Sequence, residues 1–390
     1  MTKKLILTSK LIFFTEDNEL IKENLWISDL FNKAHIVLAI VAKNSTLGVL
    51  KASVPEEYKE KLKFLSRGKD GQEKVKSLKK KDVIAGMIGI VEEDAIFSFQ
   101  SKIPLFNPEE LSEDLIVSEK VRKYGLPIFE FENIIDCFKA YEIHKDNYFQ
   151  MFFEDSFSVI SLNNANTYHR PEEEARIKEI FETNLKGSKR KRNQRILLLL
   201  LFHLVNEVTT NPFYEKVNYW GTFPSSNPDN RETTVSFLKE AVRVIIGGGP
   251  QKGPEILIRE RPMQSKHSSG TTRLINKSNI DFETLVVNPD LKKKIKGKVI
   301  CIIDDYITNG YSAEATKHLL LNAGAKEVIF LSFGKFGRKY YSTKYEIEGD
   351  VCDKYEYEFI SEHLYDGNTI NEKYYDFTND TEILKFADLL

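Results

Sequence analysis

The apolar run Val299-Ile-Cys-Ile-Ile303 passes without a break into Asp304-Asp305, and then into Tyr-Ile-Thr-Asn-Gly-Tyr-Ser312. A short, continuous apolar run reads as a strand buried on both faces, which is the habit of parallel sheets. Parallel strands need crossover helices, so this one segment commits its part of the chain to an α/β architecture. Ala313–Ala323 supplies the helix, closed by Gly324, and Glu327–Phe333 the next strand. The two acids then stand at the carboxyl edge of the sheet, where α/β folds place ligands. The turn Thr308–Ser312 offers backbone N–H groups, hydroxyls and a helix N-terminus, all suited to a phosphate. Carboxylates able to hold a diol, beside a phosphate cradle, match a ribose 5-phosphate. The plainer alternative is that the acids only cap the following helix.

The chain's size and make-up set the frame. At 390 residues two domains are expected, and 41% apolar with 29% charged residues is ordinary for a globular protein with a real core. A net charge of -2 gives no nucleic-acid footprint over the whole molecule. Lys189–Arg192 is read as a solvated basic loop, and nucleic acid is not expected as a partner. The longest apolar run, Ile196–Phe202, is too short to cross a bilayer. Cys137, Cys301 and Cys352 show no paired spacing, which fits a reducing cytoplasm and neither a disulfide framework nor a zinc site. His169 and His203 read as structural.

The fold expected is α/β in two domains. Residues 1–150 alternate apolar runs (5–7, 11–14, 36–41, 83–91, 126–131) with helical stretches at 55–64 and 110–124. Residues 151–210 read as a mainly helical connector, 211–345 as a second α/β domain, and 346–390 as a Tyr-, Asp- and Glu-rich extension. In the second domain strands are expected at 217–222, 255–259 and 284–288, with a helix at 231–246.

The segment 299–312 resembles the signature of type I phosphoribosyltransferases: an apolar run, two acids, two more residues, then Thr-Thr-Gly-x-Thr. The resemblance implies that Asp304 and Asp305 hold the ribose hydroxyls and a Mg²⁺ ion of phosphoribosyl diphosphate (PRPP). It implies that Thr308, Asn309, Gly310, Tyr311 and Ser312 hold the 5-phosphate. Asn309 replaces the usual Thr, and Tyr311 stands where a small residue is common. The stretch from Arg261 through Gln264 and Arg273 to Asn276 resembles the flexible hood of ComF-like members, and Phe223-Pro-Ser225-Ser226 sits where the family has its diphosphate loop. Arg261 and Arg273 would then neutralise the leaving diphosphate, completing a catalytic set with Asp304 and Asp305, although both also fit a solvated charged loop. Thr308 occupies the position of the base that purine-specific members use, so a purine acceptor is not favoured. The expected activity is Mg²⁺-dependent transfer from PRPP to an unidentified, non-purine acceptor. The alternative is a module that senses PRPP or a nucleotide without turnover. A homodimer is compatible with either.

The N-terminal half resembles haloacid-dehalogenase-like (HAD) phosphatases in degenerate form. Leu11–Leu20 is similar to the opening motif, with Phe14 at the nucleophile position and Glu16 at the acid/base position. Val37–Asn44 is similar to the second motif, with Ala42 in place of Ser or Thr. Lys76 or one of Lys79–Lys81 would be the third-motif lysine, and Met87–Asp94 the acidic fourth motif. The resemblance implies a Rossmann-like, non-catalytic domain, since aspartyl-phosphate chemistry needs its nucleophile. Pairings of the two domain types resemble those in bacterial gene clusters for stress response or defence.

Overall fold

Two six-stranded β-sheets divide the chain, each with its central strands at short apolar runs. The computed structural model describes residues 4–81, 83–142, 147–154, 156–186, 193–230, 232–247, 255–263, 277–366 and 374–376. The first sheet holds β1 (Lys4–Ser9), β2 (Ile36–Ala42), β3 (Leu62–Ser66), β4 (Ile84–Ile88), β5 (Leu105–Asn107) and β6 (Leu126–Pro127). It is parallel throughout, in the order β3-β2-β1-β4-β5-β6. That is a Rossmann-like order, with its switch point between β1 and β4. Helices α1 (Trp26–Lys33), α2 (Asn44–Ser53), α3 (Lys69–Lys79), α4 (Glu92–Ser101), α5 (Glu119–Tyr124) and α6 (Glu132–Glu142) flank it.

Three local expectations change here. The run 11–14 is not a strand: β1 stops at Ser9, and Lys10–Ile12 is a single tight turn leading to a lone bridge between Phe14 and Leu20. The stretch 55–64 is not a helix. A short turn at Glu56–Tyr58 leads directly into β3, because Leu62 and Leu65 are needed in the sheet's core. Of the helix expected at 110–124, only α5 forms.

The second sheet begins earlier than the sequence suggests. β7 (Phe149–Phe153) and β8 (Phe157–Asn164) belong to it, together with β9 (Tyr219–Thr222), β12 (Val299–Ile307), β13 (Glu327–Lys335) and β16 (Tyr374–Asp376). Its order is β16-β7-β8-β13-β12-β9. β8, β13, β12 and β9 run parallel, while β7 and β16 add an antiparallel edge. The stretch read as a helical connector therefore contributes two strands as well as α7 (Glu172–Lys186) and α8 (Gln194–Thr210). The tail read as an extension contributes most of a long antiparallel hairpin, β14 (Lys339–Gly349) with β15 (Tyr355–Asp366).

Helix α8 explains why the two sheets sit together. Every residue from Ile196 to Val208 is buried, the signature of a helix enclosed on all sides. Its Phe202 meets Phe106 of the first sheet at 5.1 Å, and it packs on α9 (Thr234–Ile246), which in turn covers β9 and β12. Cys301 and Ile303 of β12 join this shared core, while Ile300 and Ile302 face a second core with α12 (Tyr311–Asn322) and Tyr340. His203 sits in α8 with no exposure, and its Nε2 lies 3.0 Å from the Asn163 side chain. Among the described residues no helix is long and apolar enough to cross a membrane.

Candidate functional site

The carboxyl edge of the second sheet brings part of the predicted set together: Asp304, Asp305 and the Thr308–Ser312 loop beside Phe223–Ser226. β9 and β12 are parallel neighbours with Thr222 opposite Ile303, and the Phe223 N–H donates to the Ile303 carbonyl at 3.0 Å. Phe223–Ser226 thus leaves its strand directly beside Asp304-Asp305, one strand spacing away. β12 does not end at Ile303 as expected: pairing with β13 continues to Ile307, so the acids lie inside the strand's last turnless segment and the loop proper shortens to Thr308–Gly310. Both carboxylates are half-buried. That of Asp304 accepts the Asp305 N–H at 2.9 Å, and that of Asp305 accepts the Tyr306 N–H at 2.6 Å. The neighbouring Tyr306 fills space left by Gly334, where a Cβ would stand 2.8 Å from its ring. Burial, and then the Asp305 charge, hold the Tyr306 hydroxyl far above the usual phenol range.

The loop after the acids has all its carbonyls turned into the protein. The Ile307 carbonyl accepts Phe336 N–H (2.8 Å), and Thr308 accepts the Lys335 ammonium (2.9 Å). Asn309 accepts Tyr341 N–H (2.9 Å), Gly310 accepts Glu314 N–H (2.9 Å), and Tyr311 accepts the Ser278 hydroxyl (2.9 Å). The N–H groups of Asn309, Gly310 and Tyr311 have no hydrogen-bond partner among the described residues. A loop with its acceptors tied back and its donors without partners among the described residues, at the start of α12, has the donor arrangement of an anion-binding nest. Gly310 makes it possible in two ways. Its φ of +92° is left-handed, and a Cβ there would lie 2.3 Å from the Tyr340 ring. Lys335, with no exposure, donates also to the carbonyls of Phe336 and Lys339, so a buried cation braces the loop from below.

The larger residue at 311 does not intrude on the loop. Its ring stacks on Tyr341 at 5.5 Å and its hydroxyl reaches Glu362 of β15 at 3.4 Å. Burial pushes that hydroxyl up, with the Glu362 charge adding to the effect. Glu362 also pairs with Lys277 at 3.4 Å, so the hairpin β14–β15 is anchored beside the start of α12. Sequence reading missed this hairpin, because alternating Tyr and Glu carry no site signature.

The Phe223–Ser226 loop is held by a residue that the sequence reading did not single out. Arg259, at the end of β10 (Leu257–Arg259), is 4% exposed and forms an ion pair with the equally buried Asp281 at 3.1 Å. Its Nε donates to the Ser225 carbonyl at 2.8 Å, and it also meets the Thr284 hydroxyl and the Met263 sulfur. The signal was an arginine two residues after Leu257, on the same buried face of a strand. Arg261 is exposed, and its guanidinium donates to the Glu283 carbonyl on β11's side (β11, Leu285–Val287). Arg273, Gln264 and Asn276 lie outside the described residues, as do Lys189–Arg192.

The carboxyl edge of the first sheet is arranged otherwise. β1 ends in Thr8 and Ser9, followed by Lys10, so no carboxylate occupies that strand end, and Phe14 is core. Glu16 is exposed, and Ala42 is a buried strand terminus. The fourth-motif acid Asp94 has no exposure. It accepts the N–H groups of Ile90 and Val91 at 3.1 Å each and pairs with Arg67 at 2.7 Å. Burial raises its pKa, and Arg67 and a Ser9 hydrogen bond oppose that shift. The candidate third-motif lysines do not pair with this acid among the described residues. Lys76 pairs with Glu73, and α3 carries Lys79–Lys81 to the amino edge of the sheet, where Lys79 donates to the Lys102 carbonyl.

Among the described residues no group of three or more His, Cys, Asp or Glu is placed to hold a metal. Asp304 and Asp305 fit Mg²⁺ in the manner of phosphate-transfer sites, in which one or two carboxylates suffice and water and substrate phosphates complete the shell. No protein-family model, no curated protein and no solved structure matches this chain.

Proposed function

We propose that the C-terminal half binds PRPP and transfers its phosphoribosyl group to a non-purine acceptor, releasing diphosphate. One observation carries this reading: five consecutive carbonyls, 307–311, are bonded inward while the N–H groups of 309–311 are not, directly after two carboxylates and beside a second loop on the adjacent strand. On this reading the N–H groups of Asn309, Gly310 and Tyr311 and the Thr308 hydroxyl receive the 5-phosphate, with Ser312, whose hydroxyl donates to Asp281, closing the loop, and Asp304 and Asp305 receive the ribose hydroxyls. Ser225 and Ser226 face the diphosphate. Transfer breaks the bond between ribose C1 and the diphosphate oxygen and forms one from C1 to the acceptor atom, with the electron pair leaving on diphosphate. The carboxylates beside C1 stabilise the positive charge that develops on the ring. Mg²⁺, when bound at Asp304 and Asp305, supplies charge neutralisation of the diphosphate. Thr308 in place of an acid offers no base toward a purine. The N-terminal half, on the same reading, is a degenerate HAD-like domain without phosphatase activity, since β1 ends in Thr8 and Ser9.

The test is diphosphate release from PRPP and Mg²⁺ in the presence of pooled cell metabolites, beside direct PRPP binding by calorimetry. Binding with release supports the transferase. Binding with no release from any pool identifies a PRPP-sensing module instead. No PRPP binding overturns both.

A further inference from the structure

The two loops of the candidate site are not independent. Ser225 of the first loop, Arg259, Asp281 and Ser312 at the start of α12 form one unbroken chain of contacts. The Arg259 Nε donates to the Ser225 carbonyl (2.8 Å), its Nη2 meets Asp281 Oδ1 (3.1 Å), and Asp281 Oδ2 accepts from the Ser312 hydroxyl (3.4 Å). The two central members are each 1% exposed at the side chain. An arginine fork binds such divergent acceptors in fixed directions, which a lysine's point charge cannot reproduce.

The direction of the Ser225 carbonyl matters for its neighbour. A trans peptide sets C=O and the following N–H on opposite sides, so drawing the Ser225 oxygen to Arg259 aims the Ser226 N–H away from it. The Ser226 carbonyl is likewise taken, by the Met263 N–H at 2.9 Å. The Ser226 N–H itself has no partner among the described residues. The first loop therefore repeats on a smaller scale what the second does: acceptors tied inward, a donor left outward.

Resting on the PRPP reading, we propose that Arg259 is a positioning residue that makes this site selective for a sugar carrying a 1-diphosphate as well as its 5-phosphate over ribose 5-phosphate. It does so by fixing the Ser226 donor at a set place relative to the 5-phosphate nest. Arg259 touches neither phosphate. Asp281 connects it to the nest, so both anion sites share one rigid brace.

Calorimetry of the full chain with Mg²⁺ tests this, titrating PRPP and ribose 5-phosphate separately. The wild-type protein binds both, with PRPP the tighter. In Arg259→Lys the affinity for PRPP falls about tenfold, the loss of one well-placed hydrogen bond, and that for ribose 5-phosphate stays within about twofold. An equal fall for both ligands, or no fall for PRPP, overturns the assignment. Thr284→Val removes one acceptor of the guanidinium and leaves the ion pair, and lowers PRPP affinity about threefold with ribose 5-phosphate unmoved. If Arg259→Lys fails to fold, Thr284→Val decides: an unchanged PRPP affinity there overturns the assignment. Wild-type protein that binds neither ligand defeats the PRPP reading itself, an outcome distinct from wild-type binding with unselective variants.

Discussion

The two sheets each have acidic residues near the carboxyl edge, in the first turn of a helix at one and in the end of a strand at the other, and use them in opposite ways. At the edge of the first, Asp94 has no exposure, and two backbone N–H groups and Arg67 answer its charge. At the edge of the second, Asp304 and Asp305 remain half-buried, beside a loop whose backbone donors point outward. A carboxylate surrounded by donors from its own chain holds a fold together. One that stands next to donors without partners among the described residues is, on the proposed reading, open to a ligand from solution. The fold alone does not separate these cases; the hydrogen-bond ledger of each edge does.

This contrast can be broken by experiment. The largest effect is expected from Asp304→Asn with Asp305→Asn, which lowers PRPP-dependent diphosphate release by about a hundredfold or more while Asp94→Asn leaves PRPP affinity within about twofold. A comparable loss in Asp94→Asn would erase the distinction between the edges. Next, Arg67→Ala leaves the Asp94 charge buried without its cation, and urea denaturation at neutral pH should register about 3–5 kcal/mol. Because burial already raises the Asp94 pKa, the folded protein takes up a proton there more readily than the unfolded chain. Stability from this group therefore falls as pH rises, and the Arg67→Ala loss should shrink toward acid.

Gly310→Ala forces a left-handed backbone on alanine and a methyl against Tyr340, for a loss of about 3 kcal/mol seen as a lowered denaturation midpoint. The effect that is smallest at any single pH step concerns Lys79, which burial pushes down to about 8 from 10.5. Between those values the unfolded chain holds more protons than the folded one, so this group adds stability as pH rises, by up to about 1.4 kcal/mol per pH unit. Lys79→Met should remove that rise from stability measured across the same window.

Much of the second sheet's centre was legible because β12 and β13 are runs of apolar residues ending in a turn that only a few residue types can make. The site's acids and its Gly310 were visible for the same reason. What escaped were residues whose polarity hides their burial. β8 is buried at all eight positions, yet includes Ser158, Ser161, Asn163 and Asn164. Its polar groups find partners across strands, as in the 2.5 Å contact of Ser161 with Ser332, and no sequence period reports that. Arg259 and Lys335 were hidden in the same manner, as charged residues satisfied by distant carbonyls and an acid. The mistaken strand at 11–14 failed conversely: Ile12, Phe13 and Phe14 are core, but as a turn packed beneath the sheet.

The contact between Gly310 and Tyr340 has a consequence for how such a chain can change over time. The loop before α12 and the hairpin after β13 fit each other like a key cut for one lock, across 30 positions of sequence. Any descendant that replaces the glycine must shrink the tyrosine in the same lineage, and a shrunken tyrosine also releases the buried Glu314 carboxylate it now binds at 2.6 Å. Related sequences should therefore vary at 310, 314 and 340 together or at none of them.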